Sequence, residues 1–225
     1  MSNLTSHSDP SLCWNCRGSL SEADLCTSCV KIQPIGPETD FFSILGIPVR
    51  LTLDTGILTE RFHEKSRLFH PDYHRLEDTR EQDISLNNAS LLNQAFRTLK
   101  DPFERALYFL DLTSRHHSPQ GQRVVLPPSL LMEIMEFKET LEEQVDSGQS
   151  EKASKTLAAR IRDVEAAILG RMESLDNLAS VGKSGDEETK RSREDLTRDL
   201  EYRKYLKSLE RDLKTRIQTV ASRVG

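Results

Sequence analysis

Four cysteines near the start of the chain have the residue types and spacing of a metal site. Cys13, Cys16, Cys26 and Cys29 form the pattern C-x2-C-x9-C-x2-C. Each C-x2-C pair can place two thiolates on one ion, and the intervening turn brings the second pair round to complete a tetrahedron. Gly18 follows the first pair, where we expect the turn to need the conformational freedom of glycine. Four thiolates leave no open coordination position, so the pattern predicts structural zinc.

Metal binding would also explain how so short a segment stays ordered. It buries too little apolar surface to fold alone, and a bound Zn²⁺ would contribute folding free energy on the order of 10 kcal/mol. Three alternatives stay open. The first is a pair of disulfides, which would need an oxidising compartment, and the sequence predicts no export signal that would take the chain to one. Iron also binds four thiolates, and the thiols can be unligated. Such knuckles serve many kinds of protein, so the pattern alone assigns no function.

A second polar group, His70-Pro71-Asp72, falls between two helical patterns. Pro71 disfavours helical geometry at His70 and fixes its own φ, so we expect the tripeptide on a loop. Taken alone, His70 caps or packs a loop and Asp72 is a solvated turn residue. An enzyme could use both as acid–base groups, but the sequence offers no partner nucleophile on this helical hairpin.

Two amphipathic helices position this tripeptide. Asp54 is expected to cap the first helix. The inward stripe of that helix consists of Leu58, Phe62 and Phe69. The second helix runs from about Thr79 to Leu99, with apolar residues at helical spacing, so the two form an antiparallel hairpin. A short helix after Asp40 ends at Gly46, and another begins at Asp101-Pro102.

Three cations make the first hairpin helix locally basic within an acidic protein. They are Arg61, Lys65 and Arg67. Lys65 falls in the apolar stripe, and we expect it to snorkel so that its ammonium stays in water.

Composition and charge narrow the class of protein. Charged residues make up 30% and aromatics 6% of the 225 residues, which suits solvated helices better than a large sheet core. The net charge of −5 disfavours non-specific binding to nucleic acid. Apolar runs are too short for a membrane span, and the first residues resemble neither a signal nor a transit peptide. We expect an all-α cytoplasmic protein, with a processed form in the mitochondrial matrix as the alternative.

Three further helices follow the connector 113–128, which ends in Pro127-Pro128. They are expected at about 129–145, 151–179 and 187–220, with a polar break at 182–185, and they predict an antiparallel bundle. The stripes of the second and third are Leu157, Ile161, Val164, Ile168, Met172 and Leu175, and Leu206, Leu209, Leu213, Ile217 and Val220. His116-His117, in the connector, is interpreted as solvated rather than metal-binding.

The first of these helices has more apolar residues than a bundle core requires. The core face consists of Leu130, Ile134, Phe137, Leu141 and Val145. The opposite side carries Leu131, Met132 and Met135 beside Glu136, Glu139 and Glu143. This second face either forms an adaptable protein-binding surface or packs against another part of the protein.

Residues 40–112 resemble a J domain. The matching features are Asp40-Phe41-Phe42-x-x-Leu45-Gly46, Phe69-His70-Pro71-Asp72, Asn93-Gln94-Ala95-Phe96-x-x-Leu99 and Asp101-Pro102-x-x-Arg105-Ala106. The chain departs from the pattern at Lys65, where related sequences usually have leucine.

The resemblance implies that the chain stimulates ATP hydrolysis by a chaperone of the DnaK/HscA type. Asp72 would pair with an arginine of the ATPase domain, while His70 and Pro71 shape the loop. The cations Arg61, Lys65 and Arg67 would steer the hairpin toward an acidic surface, so salt would weaken the encounter.

The helix beginning near residue 129 carries a second resemblance. Leu131-Met132-Glu133-Ile134-Met135-Glu136, continued by acidic residues to Glu143, is similar to the scaffold-binding helix of HscB-like J proteins. This similarity implies that an IscU-type iron–sulfur scaffold binds Leu131, Met132, Met135, Glu136, Glu139 and Glu143, with Tyr205 joining from the last helix. The Cys13-Trp14-Asn15-Cys16 knuckle also occurs in some HscB-like proteins.

The resemblances predict four segments and one non-enzymatic function. The segments are a metal knuckle with linker at 1–38, a J domain at 39–112, a connector at 113–128 and a scaffold-binding bundle at 129–225. The chain would deliver the scaffold to the chaperone, without binding nucleic acid or membrane. One alternative is a J-domain adaptor for another client. The other is a zinc-knuckle nucleic-acid-binding protein, which the lack of a dense Lys/Arg patch around the cysteines disfavours.

Overall fold

The described residues fold into seven α-helices joined by turns. The computed structural model describes residues 12–21, 23–115, 126–182 and 186–224. The helices are α1 (Phe41–Leu45), α2 (Thr55–Phe69), α3 (Thr79–Lys100), α4 (Pro102–Arg115), α5 (Pro128–Asp146), α6 (Ser150–Ser180) and α7 (Glu187–Val224), with a 3-10 turn at Pro71–His74. Within those ranges the β structure consists of two isolated bridges. The predicted all-α class is confirmed.

Two compact units make up the chain, Met1–Arg105 and Ala106–Gly225. The boundary falls within α4. His116-His117 and residues 183–185 of the predicted polar break lie outside the described residues. Within the described ranges, no helix combines the length and the apolar character that crossing a membrane requires.

Aspartates cap the starts of α1, α2 and α4, and the caps at Asp54 and Asp101 were predicted. The carboxylates of Asp40, Asp54 and Asp101 each accept hydrogen bonds from two backbone N–H groups of the first turn that follows. Gly46 ends α1 with a φ of 65°, the left-handed conformation that glycine adopts without steric cost. These local signals explain why the helix starts could be predicted.

The α2–α3 hairpin encloses the core of the first unit. Its largest fully buried side chains include those of Leu58, Phe69, Leu92 and Leu99. Phe62 of α2 stacks on Phe96 of α3 with 4.1 Å between ring centroids. These contacts fix the hairpin that carries the His-Pro-Asp turn.

Arg105 closes this core from the start of α4. Its side chain is only 5% exposed, and its guanidinium donates to the carbonyls of Leu51 and Leu99. The residue therefore ties the end of α3 to the loop before α2.

The segment 31–38, predicted to be a linker, packs against α3. Ile32 and Gln33 are buried. The Asn88 amide donates to the carbonyl of Gln33 at 2.7 Å and accepts from the N–H of Ile35 at 3.0 Å. We call the stretch that carries the four cysteines, up to residue 38, the cysteine segment. It and the hairpin belong to one compact unit.

The second unit contains an antiparallel bundle of α5, α6 and α7, as predicted. Ion pairs set the register of the two longest helices. Arg171 of α6 contacts Asp195 at 3.1 Å and Asp199 at 2.5 Å on α7. Further along, Arg203 of α7 contacts Glu165 at 2.9 Å. Higher residue numbers on α6 pair with lower residue numbers on α7, so the two helices run in opposite directions.

The predicted stripes form the bundle core. The buried residues of this core are Leu126, Ile134, Leu141, Val145, Ala153, Leu157, Ile161, Tyr202, Leu206, Leu209 and Leu213. Leu130, Phe137, Val164, Ile217 and Val220 pack against it while partly exposed. Leu131 also packs against this core, although the helical pattern placed it on the opposite face.

Truncating Ile168 should destabilise the bundle far more than truncating its neighbour Leu169. Ile168 is fully buried, whereas Leu169 is 45% exposed. We expect Ile168→Ala to lower the free energy of unfolding by about 2–5 kcal/mol, because the cavity adds to the lost apolar transfer energy. Leu169→Ala should cost less than roughly 1 kcal/mol. Urea unfolding followed by circular dichroism measures both, and equal losses would contradict the packing described.

Candidate functional site

The four cysteines form one cluster with the dimensions of a tetrahedral metal site. Their sulfur atoms all lie within 4.8 Å of one another. Cys13 and Cys29 have Sγ atoms 3.6 Å apart, and those of Cys16 and Cys26 are 3.7 Å apart. Zinc–sulfur bonds of about 2.3 Å in a tetrahedron place the sulfurs about 3.8 Å apart. All four cysteines are free of disulfides. The cluster therefore fits an ion such as Zn²⁺.

Two equivalent turns supply the ligands. The N–H of Cys13 donates to the carbonyl of Gly18, and the N–H of Cys26 donates to the carbonyl of Lys31, both at 2.9 Å. The residue after the second cysteine of each turn has a positive φ, 61° at Arg17 and 57° at Val30. Both turns thus adopt the same backbone path.

Gly18, where we expected the turn to need the conformational freedom of glycine, is not the left-handed residue of the first turn. Arg17 has that conformation, at the energetic cost that a non-glycine residue incurs there. Gly18 instead provides space, because a Cβ atom at this position would lie 3.3 Å from the Cys16 sulfur.

The backbone favours some thiolates, and crowding disfavours others. Burial opposes charge on Cys13, yet backbone N–H groups, that of Cys16 foremost, lower its pKa to about 6. The N–H of Cys29 is the main cause that lowers the pKa of Cys26. The N–H of Gly18 favours a Cys16 thiolate, but the three neighbouring sulfurs and burial raise its pKa to about 11. A cation among the sulfurs would remove this mutual repulsion.

Trp14 and Gln33 hold the two cysteine turns together through hydrogen bonds. The Trp14 indole N–H donates to the carbonyl of Ile32 at 2.7 Å. The Gln33 side chain, in a residue 3% exposed, donates to the carbonyl of Lys31 at 2.7 Å and lies 3.4 Å from the Cys13 sulfur. These contacts fix the second cysteine turn relative to the first.

The His-Pro-Asp tripeptide begins a short 3-10 turn at the end of α2. His70 is extended, with φ −66° and ψ 125°, and Pro71 opens the turn. The His70 Nδ1 accepts a hydrogen bond from the N–H of Asp72 at 3.2 Å. The side chain of Asp72 is 73% exposed. The turn therefore presents a carboxylate to solvent while its backbone is held.

Two side chains anchor this turn to the hairpin. The Ser85 hydroxyl donates to the carbonyl of Phe69 at 2.9 Å, and Ser85 is fully buried. The Nε2 of His74 lies 2.9 Å from the carbonyl of Leu68, which can only accept, so this nitrogen carries the proton. Both hydrogen bonds hold the last turn of α2 in place, next to His70.

The three cations of α2 have different surroundings. Arg61 is exposed and contacts Glu64 at 3.0 Å, and Arg67 is also exposed. Lys65 differs from the expectation of a water-facing ammonium, because it contacts Asp24 of the cysteine segment at 2.5 Å and its side chain is only 18% exposed. No sequence pattern signalled this partner, which lies 41 positions earlier in the chain.

A second ion-pair group joins the segment that carries the cysteines to the start of α3 and the turn before it, and no sequence pattern signalled it either. Lys31 contacts both Glu77 and Glu81. These contacts raise the pKa of Lys31, and the hydrogen bond from Lys31 is the main cause that lowers the pKa of Glu77.

The predicted scaffold-binding residues of α5 share one largely exposed face. Met132 and Met135 are 62% and 63% exposed. Glu136, Glu139 and Glu143 are exposed, and none has an ion pair within the described residues. By contrast, Glu133 pairs with Arg160 of α6 and Glu142 lies near Arg216 of α7. We call Met132, Met135, Glu136, Glu139 and Glu143 the methionine face.

Tyr205 lies at the level of this face. Arg216 of α7 contacts Asp146 at the end of α5 at 2.7 Å. Glu133 of α5 pairs with Arg160 of α6 across their short connection, so α5 and α6 are antiparallel. Because α6 and α7 are also antiparallel, α5 and α7 run in the same direction. Counting back the same number of residues along each helix reaches Met135 and Tyr205. Tyr205 is 44% exposed, whereas Leu131 is partly buried against the bundle core.

The geometry defines an all-α protein with a J-type hairpin, a three-helix bundle and a tetracysteine cluster. Residues 126–214 match the family model described as the HSCB C-terminal oligomerisation domain. The iron-sulfur cluster co-chaperone protein HscB of mouse (Mus musculus) is 31% identical over 207 residues, which cover 90% of this chain and 81% of the mouse protein. The chain belongs to the HscB family of co-chaperones.

Two further similarities, one to a bacterial protein and one to a human structure, point to the same family. A co-chaperone protein HscB homolog from Aliivibrio fischeri is 31% identical over 135 residues, covering 60% of this chain and 78% of the relative. The crystal structure of human HscB superposes with a TM-score of 0.67, covering 91% of this chain and 97% of the human one. At 24% identity, the human structure shows the shared fold. The relatives are named co-chaperones, which is consistent with a non-enzymatic role.

The cysteine cluster should hold one divalent metal ion per chain. We expect protein purified under reducing conditions to contain about one equivalent of zinc, and Co²⁺ substitution to give the visible spectrum of a tetrahedral thiolate site. Cys13→Ser should lose the metal, because it removes a buried ligand.

Thr27→Ala, a change in the same segment at an exposed non-ligand, is the matched control. Metal content by atomic emission and thiol titration measure the result. Wild-type protein that is free of metal and contains two disulfides would contradict the assignment.

Proposed function

We propose that this chain delivers an IscU-type iron–sulfur scaffold to a DnaK-type chaperone and stimulates its ATPase. The observation that carries the proposal is the exposed Asp72 carboxylate on a turn anchored at the end of the hairpin. The family supports the assignment, since its members are named iron-sulfur cluster co-chaperone protein HscB or co-chaperone protein HscB homolog.

The turn supplies the contact with the chaperone. Asp72 accepts charge-assisted hydrogen bonds from an arginine of the ATPase domain. His70 holds the backbone of Asp72, and Pro71 fixes the entry to the turn. Because the turn is already formed, little conformational entropy is lost on binding.

Arg61 and Arg67 steer the encounter. Both are exposed on α2 and attract an acidic surface at a range that salt shortens. Lys65 lies on the same helix, but its ion pair with Asp24 offsets part of its charge, so Lys65 contributes less to steering than Arg61 and Arg67.

The methionine face binds the scaffold. Methionine side chains adapt to an irregular partner, and two of them exposed together form an unusual apolar surface on a charged helix. The three carboxylates of this face lack ion-pair partners within the described residues, so they suit a partner with a basic rim. Leu131 and Tyr205 extend the surface at its edges.

The cysteine cluster has a structural role in this proposal. Cys13, Cys16, Cys26 and Cys29 would hold zinc, which cross-links the two turns and offers no open position to a substrate. The chain's contribution to ATP hydrolysis is then to bring client and chaperone together, which raises the effective concentration of one at the other.

Stimulation should depend on Asp72 and on the scaffold together. ATP turnover by a DnaK-type chaperone is measured with this protein, with an IscU-type scaffold, and with both. We expect synergy. In Asp72→Asn, loss of a charge-assisted hydrogen bond costs about 1.5–3 kcal/mol, which requires at least about tenfold more protein for half-maximal stimulation.

Asp83→Asn, at an exposed position of α3, is the matched control. If Asp72→Asn stimulates like the wild type, the chaperone-binding assignment fails. Stimulation that depends on Asp72 but gains nothing from scaffold would instead indicate an adaptor for another client.

Truncation of the methionine face should weaken scaffold binding without changing stimulation in the absence of scaffold. Met132→Ala/Met135→Ala removes exposed apolar contacts, and we expect the Kd for the scaffold to rise roughly tenfold or more. Leu169→Ala/Val181→Ala removes apolar groups that are 45% and 68% exposed on the same unit and should leave Kd unchanged. Calorimetric titration measures both, and equal effects would rule out this face.

A further inference from the structure

Glu81 is a buried carboxylate that touches two functional segments at once. Its side chain is 2% exposed, in the first turn of α3. One carboxylate oxygen accepts from the ammonium of Lys31, two residues after the last cysteine ligand. The other lies 3.7 Å from the Nδ1 of His74, the last residue of the His-Pro-Asp turn. A carboxylate this deeply buried requires a partner, and the ammonium of Lys31 supplies it, while the imidazole of His74 packs beside the other oxygen.

His74 carries the connection to the tripeptide. Its other ring nitrogen donates to the carbonyl of Leu68, two residues before His70. The His74 side chain is 12% exposed, so its ring is held between α2 and α3. A displacement of Glu81 would therefore reach the turn through one imidazole.

Three other contacts attach the cysteine segment to the same hairpin. Asp24 pairs with Lys65 of α2, and the guanidinium of Arg80 lies 4.6 Å from the centre of the Trp14 ring. The buried Asn88 amide bonds to the backbone after the last cysteine. The segment thus spans both helices of the hairpin on the side of Glu77 and Glu81.

We infer that the cysteine segment is a positioning element for the His-Pro-Asp turn, acting through Lys31, Glu81 and His74. When metal is bound, the second cysteine turn is rigid and Lys31 is held over Glu81. When metal is lost, the turns lose their cross-link, Lys31 leaves Glu81, and the His-Pro-Asp turn becomes mobile. Metal occupancy would then set how well the chain stimulates its chaperone, an effect that rests on the proposed function.

Amide hydrogen exchange tests the structural part without a chaperone. The N–H groups of Asp72 and Tyr73 bond to His70 and report on the turn. Chelation of metal under reducing conditions should speed their exchange about tenfold, within the range typical of coupling between two sites. Exchange in α6, around Ile168, should not change. Unchanged exchange at Asp72 and Tyr73 after the metal has left would overturn the inference.

Variants with the metal site intact test the same connection. Lys31→Met should speed exchange in the turn and raise the protein concentration for half-maximal ATPase stimulation about tenfold, with zinc content unchanged. Lys155→Met, which breaks an exposed pair with Glu151, should do neither.

A double variant separates positioning from general destabilisation. Lys31→Met leaves the buried Glu81 charge unpaired, and Lys31→Met/Glu81→Gln removes that charge. We expect the double variant to recover thermal stability but not stimulation, because the cysteine segment no longer holds the turn. Recovery of both would overturn the inference.

The outcomes for the two proposals are distinguishable. If wild-type protein with full metal fails to stimulate a DnaK-type ATPase, the proposed function fails, and exchange at Asp72 and Tyr73 still decides whether the segment positions the turn. If wild-type protein stimulates and chelated protein stimulates equally, the inference fails while the proposed function stands.

Discussion

One buried amide joins the cysteine segment to the helical hairpin. Asn88 is 1% exposed, and its side chain satisfies a carbonyl of Gln33 and the N–H of Ile35. Without it, two backbone groups would be buried unpaired, each at a cost of about 1–3 kcal/mol. Ion pairs of Asp24 with Lys65 and of Lys31 with Glu81 join the same two parts of the chain. An asparagine in the middle of α3 is therefore an attachment point rather than a tolerated polar residue.

The two units use carboxylates in opposite ways. In the first unit, Glu81 is buried between the Lys31 ammonium and the His74 ring, so it contributes to the shape of the unit. In the second, Glu136 and its neighbours on the methionine face are exposed and take no part in ion pairs within the described residues. Buried pairs are expensive to break, whereas exposed charges are available to partners at little cost in stability.

Local signals made most of the fold predictable from the sequence. Prolines and helical spacing placed α5 at 129–145, against Pro128–Asp146 in the structure, and aspartate caps placed the starts of α2 and α4. Cysteine spacing located the cysteine cluster because each C-x2-C turn is local. The partners of Lys31 and Lys65 were not predictable, since salt bridges between residues more than 40 positions apart leave no periodic trace. Leu131 was misplaced because its angle on α5 lies between the two faces.

The two cysteine turns repeat one backbone path, and each contributes half of the ligands. A turn alone offers two thiolates, which neither saturate an ion nor fold a segment of this size. Ordering of either turn consequently requires the other, so the segment should pass between loaded and empty forms without a stable half-assembled species. Metal binding and the ordering of both turns would then be a single step, which makes this small region a two-state unit inside a larger domain.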